Sequence, residues 1–327
     1  MISYKRYIDL ESQFENLNIL IVGDAMLDSY VWGEVSRISS EAPVPVIKIN
    51  SSSSNLGGAT NVVSNIQSLG AKATIASVIG DDLEGKILKS QLLETGVDIS
   101  MLLIDPSRPT TVKTRILAQN QQVVRTDRED IKNLSLEHKT RLIDKINKKI
   151  DTFDGIIIEN YDKGLLDNEI ISEIIELSKR TNKQVYVDPK EKDFFSFQGV
   201  EMVKPNAYEV SLAMDSNISE KNIDKIGVEL RKRLECEILL ITLGKSGMAL
   251  FDNQGFNPIP TRARSVHDVS GAGDTVISVF SLAHLSGASP KEAAEIANFA
   301  AGRVCEEVGV APITRRMLRE IIEVYQN

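Results

Sequence analysis

Residues 268–275 read Asp268-Val269-Ser270-Gly271-Ala272-Gly273-Asp274-Thr275 and lead without a break into the apolar, helix-patterned run Val276 to Leu285. Gly271 and Gly273 lack a Cβ, so the backbone can tighten there and aim successive N–H groups at an anion, and the helix that follows adds the positive end of its dipole. Asp274 falls in the first helical turn. A carboxylate is favoured there in its charged form and can take a proton from a hydroxyl while the amides hold a phosphoryl group. An ordinary helix start with a pair of loop glycines would read the same way in isolation. Two commoner glycine motifs fail on these residues. A dinucleotide fingerprint GxGxxG from Gly271 needs Gly or Ala at 276, where the chain has Val276, and Gly244-Lys245-Ser246 lacks the earlier glycine of a P-loop, Leu239 standing in its place.

Outward from this stretch, short β-rich runs alternate with longer helix-period segments. Asn18 to Val22 precedes Asn61 to Leu69, Ala73 to Ile79 precedes Leu83 to Thr95, and Gly155 to Ile158 precedes Asn168 to Arg180. Gln184 to Val187 then leads toward Asn206 to Met214, and Ile238 to Thr242 comes before the helix that opens at Gly271. Runs such as ILIV and GIII, nearly continuous in branched apolar residues, suit strands of a parallel sheet covered on both faces. The expected fold is α/β, three layers with a mostly parallel central sheet.

Asp28 to Asn50 and Thr110 to Arg125 break the rhythm with alternating apolar and polar residues, and Pro43 and Pro45 confine the first segment to an edge or a short strand. Together they are expected to form a small separate sheet, a lid over a cleft or an arm through which two copies pair. The serine run Ser51 to Ser54 reads as a flexible hinge between that arm and the body.

The chain has 327 residues, 42% apolar and 26% charged, with a net charge of −8. These values describe a globular protein of one large domain and argue against a nucleic-acid partner bound through phosphate contacts. Small anionic substrates must then be held by locally placed Lys and Arg. The opening MISYKRYIDLESQFEN has no apolar signal region and no later stretch approaches a membrane span, so the expected location is cytoplasmic, with no membrane partner. Cys236 and Cys305 are too few and too far apart for a disulfide framework or a zinc site, and His138, His267 and His284 lack metal-ligand spacing. All five read as structural.

The glycine-rich stretch has company in a fixed order: Gly23-Asp24-Ala25-Met26-Leu27-Asp28, Leu56-Gly57-Gly58-Ala59-Thr60-Asn61, Val187-Asp188-Pro189-Lys190 and Lys204-Pro205-Asn206-Ala207-Tyr208-Glu209. From about Leu17 to Pro312 this set resembles the ribokinase-like sugar kinases of the PfkB family. GDAMLDSYVWGEVSRISSEAPVPVIKI, KTRILAQNQQVVRTDRED, ENYDKGLL and VDPKEKDF are similar to the branch whose kinase domain acts on heptose 7-phosphate in lipopolysaccharide precursor synthesis. Ser40, Asp162, Glu191 and Lys245 depart from that branch. The branch often carries a nucleotidyltransferase domain after the kinase. No segment after Arg315 to Tyr325 leaves room for one, so the resemblance implies a single kinase domain over residues 1–327, served by a separate adenylyltransferase.

The resemblance implies a role for each motif. Asp274 becomes the base, with the backbone of Gly271, Ala272 and Gly273 as anion hole, in agreement with the reading of the helix start. Asp28, Gly57, Gly58 and Asn61 become sugar contacts, a carboxylate and an amide bracketing hydroxyls while a glycine lets the ring approach. Asn206 meets the nucleotide phosphates and Glu209 orients Mg2+ through water, although Asn206 would equally serve as a helix cap. Thr242 and Gly244 form the ATP-side loop, with Lys245 exposed. Arg115, Lys163 and Lys190 are candidates for the phosphate that the substrate already carries. ATP and Mg2+ are the implied cofactors, a sugar phosphate the implied partner, and a homodimer through the lid the implied assembly. A PfkB kinase for another sugar, or a non-catalytic sugar-phosphate binder, would share most of these features.

Overall fold

A computed structural model describes residues 2–119, 121–262, 269–307, 309 and 311–325. His267 and Asp268 lie outside the described residues. The chain opens with α1 (Tyr4–Glu11), β1 (Asn18–Gly23), β2 (Ala25–Ile38), β3 (Pro45–Gly58), α2 (Ala59–Ser68), β4 (Lys72–Ile79) and α3 (Leu83–Glu94). It continues through β5 (Asp98–Ile104), β6 (Thr111–Ala118), β7 (Gln121–Arg128), α4 (Leu136–Lys149), β8 (Gly155–Glu159), α5 (Asn168–Arg180) and β9 (Gln184–Asp188). Then come β10 (Met202–Val203), α6 (Ala207–Ala213), α7 (Ile223–Leu234), β11 (Ile238–Thr242), β12 (Met248–Asp252) and β13 (Gly255–Ile259), and α8 (Ala272–Leu285), α9 (Pro290–Val304) and α10 (Arg315–Val324) close the fold.

Nine strands form the central sheet in the order β13-β12-β11-β10-β9-β8-β1-β4-β5, parallel except where β12 pairs with its two neighbours. Each parallel strand serves two cores. In β1, Ile19 and Ile21 point into the apolar layer under α2, α8, α9 and α10, while Leu20 and Val22 point into the layer under α4, α5 and α7, all four fully buried. Each such side chain contributes about 1.5–3 kcal/mol by leaving water, which is why the run has no polar face. Helix ends are fastened locally: Asp82, Ser135, Asp167, Ser289 and Thr314 cap their helices with side-chain oxygens. No described helix is long and apolar enough to cross a membrane.

The segments that broke the sequence rhythm form a second sheet in the order β3-β2-β6-β7. Pro45 opens β3, an edge strand, where its missing N–H breaks no ladder. One expectation is corrected here. Ser51 to Ser54 are no hinge but part of β3, paired residue for residue with Trp32, Val31, Tyr30 and Ser29 of β2. The small side chains mark the exposed outer edge of that strand, and backbone pairing holds it.

His138 bonds the capping hydroxyl of Ser135 and His284 bonds Tyr186, both at 2.9 Å. Burial holds His284 below the usual histidine range. Cys236 and Cys305 are buried, and burial pushes the Cys236 thiol up to about 12.

Candidate functional site

The order in which strands are added reverses between the parallel neighbours β1 and β8, since β1 leads through the second sheet to β4 on one side and β8 takes the other. In an open parallel sheet the crevice at the carboxyl ends of such strands collects ligands. Asp24, one residue past β1, bridges this crevice. Its carboxylate accepts the N–H groups of Tyr161 at 2.9 Å, Lys163 at 3.2 Å and Leu165 at 3.3 Å, tying the loop after β8 to the end of β1. Burial raises its pKa, and those three donors pull it back only in part.

Asp274 projects into the same crevice from α8. Gly271 is the helix N-cap with φ +78°, a left-handed conformation that a Cβ would strain. Gly273 and Asp274 follow in the first turn, where N–H groups have no intrahelical acceptor. The Ala272 amide differs, donating to Val269 at 3.2 Å. Both carboxylate oxygens of Asp274 are held, Oδ2 by Asn61 Nδ2 at 2.6 Å and Oδ1 by the Tyr161 hydroxyl at 2.9 Å. Burial raises the Asp274 pKa and Asp188 raises it further, while the bonds from Asn61 and Tyr161 and the charge of Lys204 oppose them. Tyr161 is itself raised well above the usual phenol range, first by burial and then by Asp274 and Glu159, so it stays protonated and donates.

Beside Asp274 stand Glu159, the last residue of β8, and Asp188, the last residue of β9. One carboxylate oxygen from each of the three lies within 4.8 Å of the others. Lys204, just past β10 and 3% exposed, pairs with Asp188 Oδ2 at 2.8 Å. Both oxygens of Glu159 and Oδ1 of Asp188 are buried with no hydrogen-bond partner among the described residues. Burial drives the Glu159 pKa well above the carboxylate range, with Asp188 and Asp274 adding to the effect. Oxygens held in this way suit a hard cation.

Asp28 sits on the cleft side of β2 and pairs with Arg115 of β6. A Cβ on Gly57 would collide with the Asp28 carboxylate, and one on Gly58, at φ +56°, would come within 2.6 Å of the Asp24 carbonyl. The two glycines thus let β3 enter α2 against the site, and Asn61 follows in the first turn of α2. Lys163 pairs with Glu129 at 3.0 Å.

A cavity of about 560 Å³ adjoins Asp274 and is lined by polar groups that include Lys190, Asn206 and Thr242, by Gly244 and Gly273, and by the apolar Met248, Val276, Ala301 and Cys305. Asn206 and Glu209 form a capping box at α6, each side chain accepting the other's N–H, at 2.9 and 2.8 Å. The second Glu209 oxygen meets Lys190 at 2.5 Å. Burial alone would lower the Lys190 pKa, yet Asp188 and Glu209 raise it. Gly244 has φ +56° with open space around it, and Lys245 is exposed at the rim.

The cleft therefore gathers Asp274 and its three glycine-loop neighbours, Asp28, Gly57, Gly58 and Asn61 on one side, and Lys190, Asn206, Glu209, Thr242 and Gly244 on the other. Asp24, Glu159, Tyr161, Asp188 and Lys204 lie within the quoted motifs but received no role from the sequence. Their signal was position: each stands at or just beyond the carboxyl end of a central strand.

The sequence matches the pfkB family carbohydrate kinase over residues 16–315. It is 42% identical over 305 residues to the bifunctional protein HldE of Helicobacter hepaticus, covering 93% of this chain and 63% of that protein. Against the HldE protein of Desulfatibacillum aliphaticivorans it is 42% identical over 311 residues, covering 94% of this chain and 63% of that protein. The chain thus spans a little under two thirds of the length of these curated relatives. Among solved structures, phosphofructokinase-2 from Escherichia coli in complex with substrates and products aligns with a TM-score of 0.80 at 16% identity, covering 95% of this chain and 100% of that one. Arabidopsis thaliana ribokinase complexed with ribose and ATP aligns with a TM-score of 0.74 at 18% identity, covering 94% and 99%. At these identities the likeness is one of fold.

Proposed function

The chain belongs to the pfkB family of carbohydrate kinases, and from that membership we propose that it transfers the γ-phosphoryl group of ATP to the anomeric hydroxyl of D-glycero-β-D-manno-heptose 7-phosphate, giving the 1,7-bisphosphate. The observation that carries the kinase chemistry is Asp274 at the start of α8, pinned by Asn61 and Tyr161 beside a cavity that the glycine turn helps to line. The heptose rests on the motifs of the lid and of the loops after β8 and β9, and on the similarity to HldE proteins.

In this reading the acceptor sugar lies between Asp28, Gly57, Gly58 and Asn61, with its anomeric hydroxyl at Asp274. The hydroxyl oxygen bonds to the γ-phosphorus as the bond to the β,γ-bridging oxygen breaks; its proton passes to Asp274, and ADP leaves. Burial brings the Asp274 pKa closer to working pH, which suits a base that must later give the proton up. The N–H groups at Gly271, Gly273 and Asp274 face the charge that builds on the phosphoryl oxygens. Asn206, Thr242 and Gly244 would hold the nucleotide phosphates, with the base against the apolar wall.

Mg2+ is proposed to enter with ATP. The unpartnered oxygens of Glu159 and Asp188 fit it, and Glu209 would reach it through water. When bound it would neutralise negative charge on the phosphates of ATP. ATP dependence accords with a cytoplasmic setting. We also propose that the lid pairs with a second copy, since Ile38, Val44, Ile49, Val123 and Val124 leave an apolar surface on it.

The test is an ATP-consumption assay with Mg2+ over a panel of sugar phosphates and free sugars, beside Asp274→Asn. Turnover of heptose 7-phosphate that is lost in the variant is the expected result. Turnover of a different sugar alone would remove the heptose assignment, and ATP binding without turnover of any sugar would favour a non-catalytic binder.

A further inference from the structure

Among the described residues, four cations approach the cleft from the lid and the loop after β8, and three of them are already neutralised. Arg115 pairs with Asp28, Lys163 with Glu129 at 3.0 Å, and Arg125 with Asp127 at 3.0 Å. The fourth is Lys113, in β6. The parallel register sets it beside Asp28 on one side, and the antiparallel register sets it opposite Asp127 on the other. It stands two residues before Arg115, so both side chains emerge on the face of the lid that looks into the crevice.

Its ammonium group lies over the ring of Tyr161, 5.0 Å from the centroid, and Tyr161 in turn holds Asp274. Among the described residues no carboxylate lies within ion-pair distance of it. Burial and the charge of Lys163 both lower its pKa, and the more distant Asp28 and Asp127 do not restore it. A partly buried ammonium with only an aromatic face for company is a costly arrangement unless an anion arrives to complete it. Lys190, 5.4 Å from the centroid of the same ring, already has Glu209.

We infer that Lys113 receives the phosphate group that the acceptor sugar already carries, holding the substrate by its far end while Asp274 addresses the hydroxyl at the near end. This inference rests on the sugar-phosphate kinase reading above. It shifts the phosphate contact from Arg115, Lys163 and Lys190, whose charges are spent on carboxylates, to the neighbouring lysine whose charge is not.

The experiment compares wild type, Lys113→Gln and Lys113→Arg in steady-state turnover of D-glycero-β-D-manno-heptose 7-phosphate and of the same heptose without its phosphate, with KM measured for acceptor and for ATP. A lost charge-assisted bond predicts that Lys113→Gln raises the KM for the phosphorylated acceptor about 10- to 100-fold. The KM for ATP and the turnover of the unphosphorylated heptose should stay within about threefold, and Lys113→Arg should keep most of the affinity. Equal KM in wild type and Lys113→Gln overturns the inference. So does a parallel rise in the KM for ATP, which would put the contact on the transferred phosphoryl group. If the wild type uses another sugar phosphate, the heptose reading falls while the same comparison on that sugar and its dephosphorylated form still decides Lys113. If it turns over no sugar, calorimetric titration with heptose 7-phosphate decides: tighter binding to wild type than to Lys113→Gln supports the contact, and equal or absent binding overturns it.

Discussion

Both oxygens of Asp274 hold a donor before any substrate arrives, and the two donors set how strongly the carboxylate keeps its proton. Asn61 and Tyr161 stabilise the charged form against burial and against Asp188. Tyr161→Phe removes one of them without changing the shape of the pocket. The expected result is a fall in kcat of about tenfold, the worth of one hydrogen bond to a charged group, with the acid limb of the kcat–pH profile moved to higher pH. A profile that falls in height without moving would mean that the hydroxyl positions substrate instead. Glu159 poses the opposite problem, a buried carboxyl with nothing to hold. In Glu159→Gln an amide N–H2 can donate to Asp188 or Asp274. The ligand-free protein should therefore melt at a higher temperature, and Mg2+ with ATP should raise the melting temperature of the wild type more than that of the variant; thermal melts with and without Mg2+–ATP check both halves.

At the scale of elements, the alternation of strand and helix was legible because strands buried on both faces are apolar throughout: β11 and α5 begin and end where the pattern put them. β12 and β13 were not read, since Met248–Asp252 and Gly255–Ile259 are short and separated only by a turn. The Ser51–Ser54 stretch misled because composition reports local chain preference, whereas β2 supplies thirteen paired positions along β3. The site was half legible. Glycines and Asp274 announce themselves by local geometry, but Glu159, Tyr161 and Lys204 acquire meaning only when β8, β9 and β10 end side by side next to α8. The lid yields its own prediction through Gly57. A methyl group there must displace the Asp28 carboxylate and with it the Arg115 pair. Gly57→Ala should raise the KM for the sugar about tenfold or more while leaving the KM for ATP within about threefold, a split that steady-state kinetics reads directly. Ile49, 63% exposed on the outer lid edge, is the matching probe of assembly. Ile49→Glu should convert a dimer to a monomer in sedimentation velocity, and a wild type that is monomeric at micromolar concentration would remove the proposed pairing.

For the molecule as a whole, two groups of carboxyls pull stability in opposite directions with pH. Asp82, Asp98, Asp105, Asp167 and Glu292, although partly buried, have their pKa values lowered by hydrogen bonds and neighbouring cations. Their contribution is present above the unfolded-state pKa and is lost as pH falls through the folded value. Asp24, Glu159 and Asp274 have theirs raised, first by burial. They contribute fully below the unfolded-state pKa, and that contribution disappears as pH rises through the folded values, because the native state must then hold charge where water cannot reach it. Glu159 and Asp274 sit in one cluster with Asp188, so their titration is shared, and Lys204 offsets only part of the charge. The ligand-free protein should accordingly reach its highest melting temperature on the acid side of neutrality and lose stability as pH rises through the raised values of the cleft group. Melting curves across about pH 4 to 9 test this, and the source of the alkaline loss can be isolated. Glu159→Gln removes one of the buried charges and should flatten that limb. Saturating Mg2+ with ATP should flatten it too, by giving the remaining carboxylates a cation. An alkaline limb of the same slope in wild type, variant and ligand-bound protein would mean that the cleft carboxyls do not govern it, and that the stability of this fold is set by its two apolar layers alone.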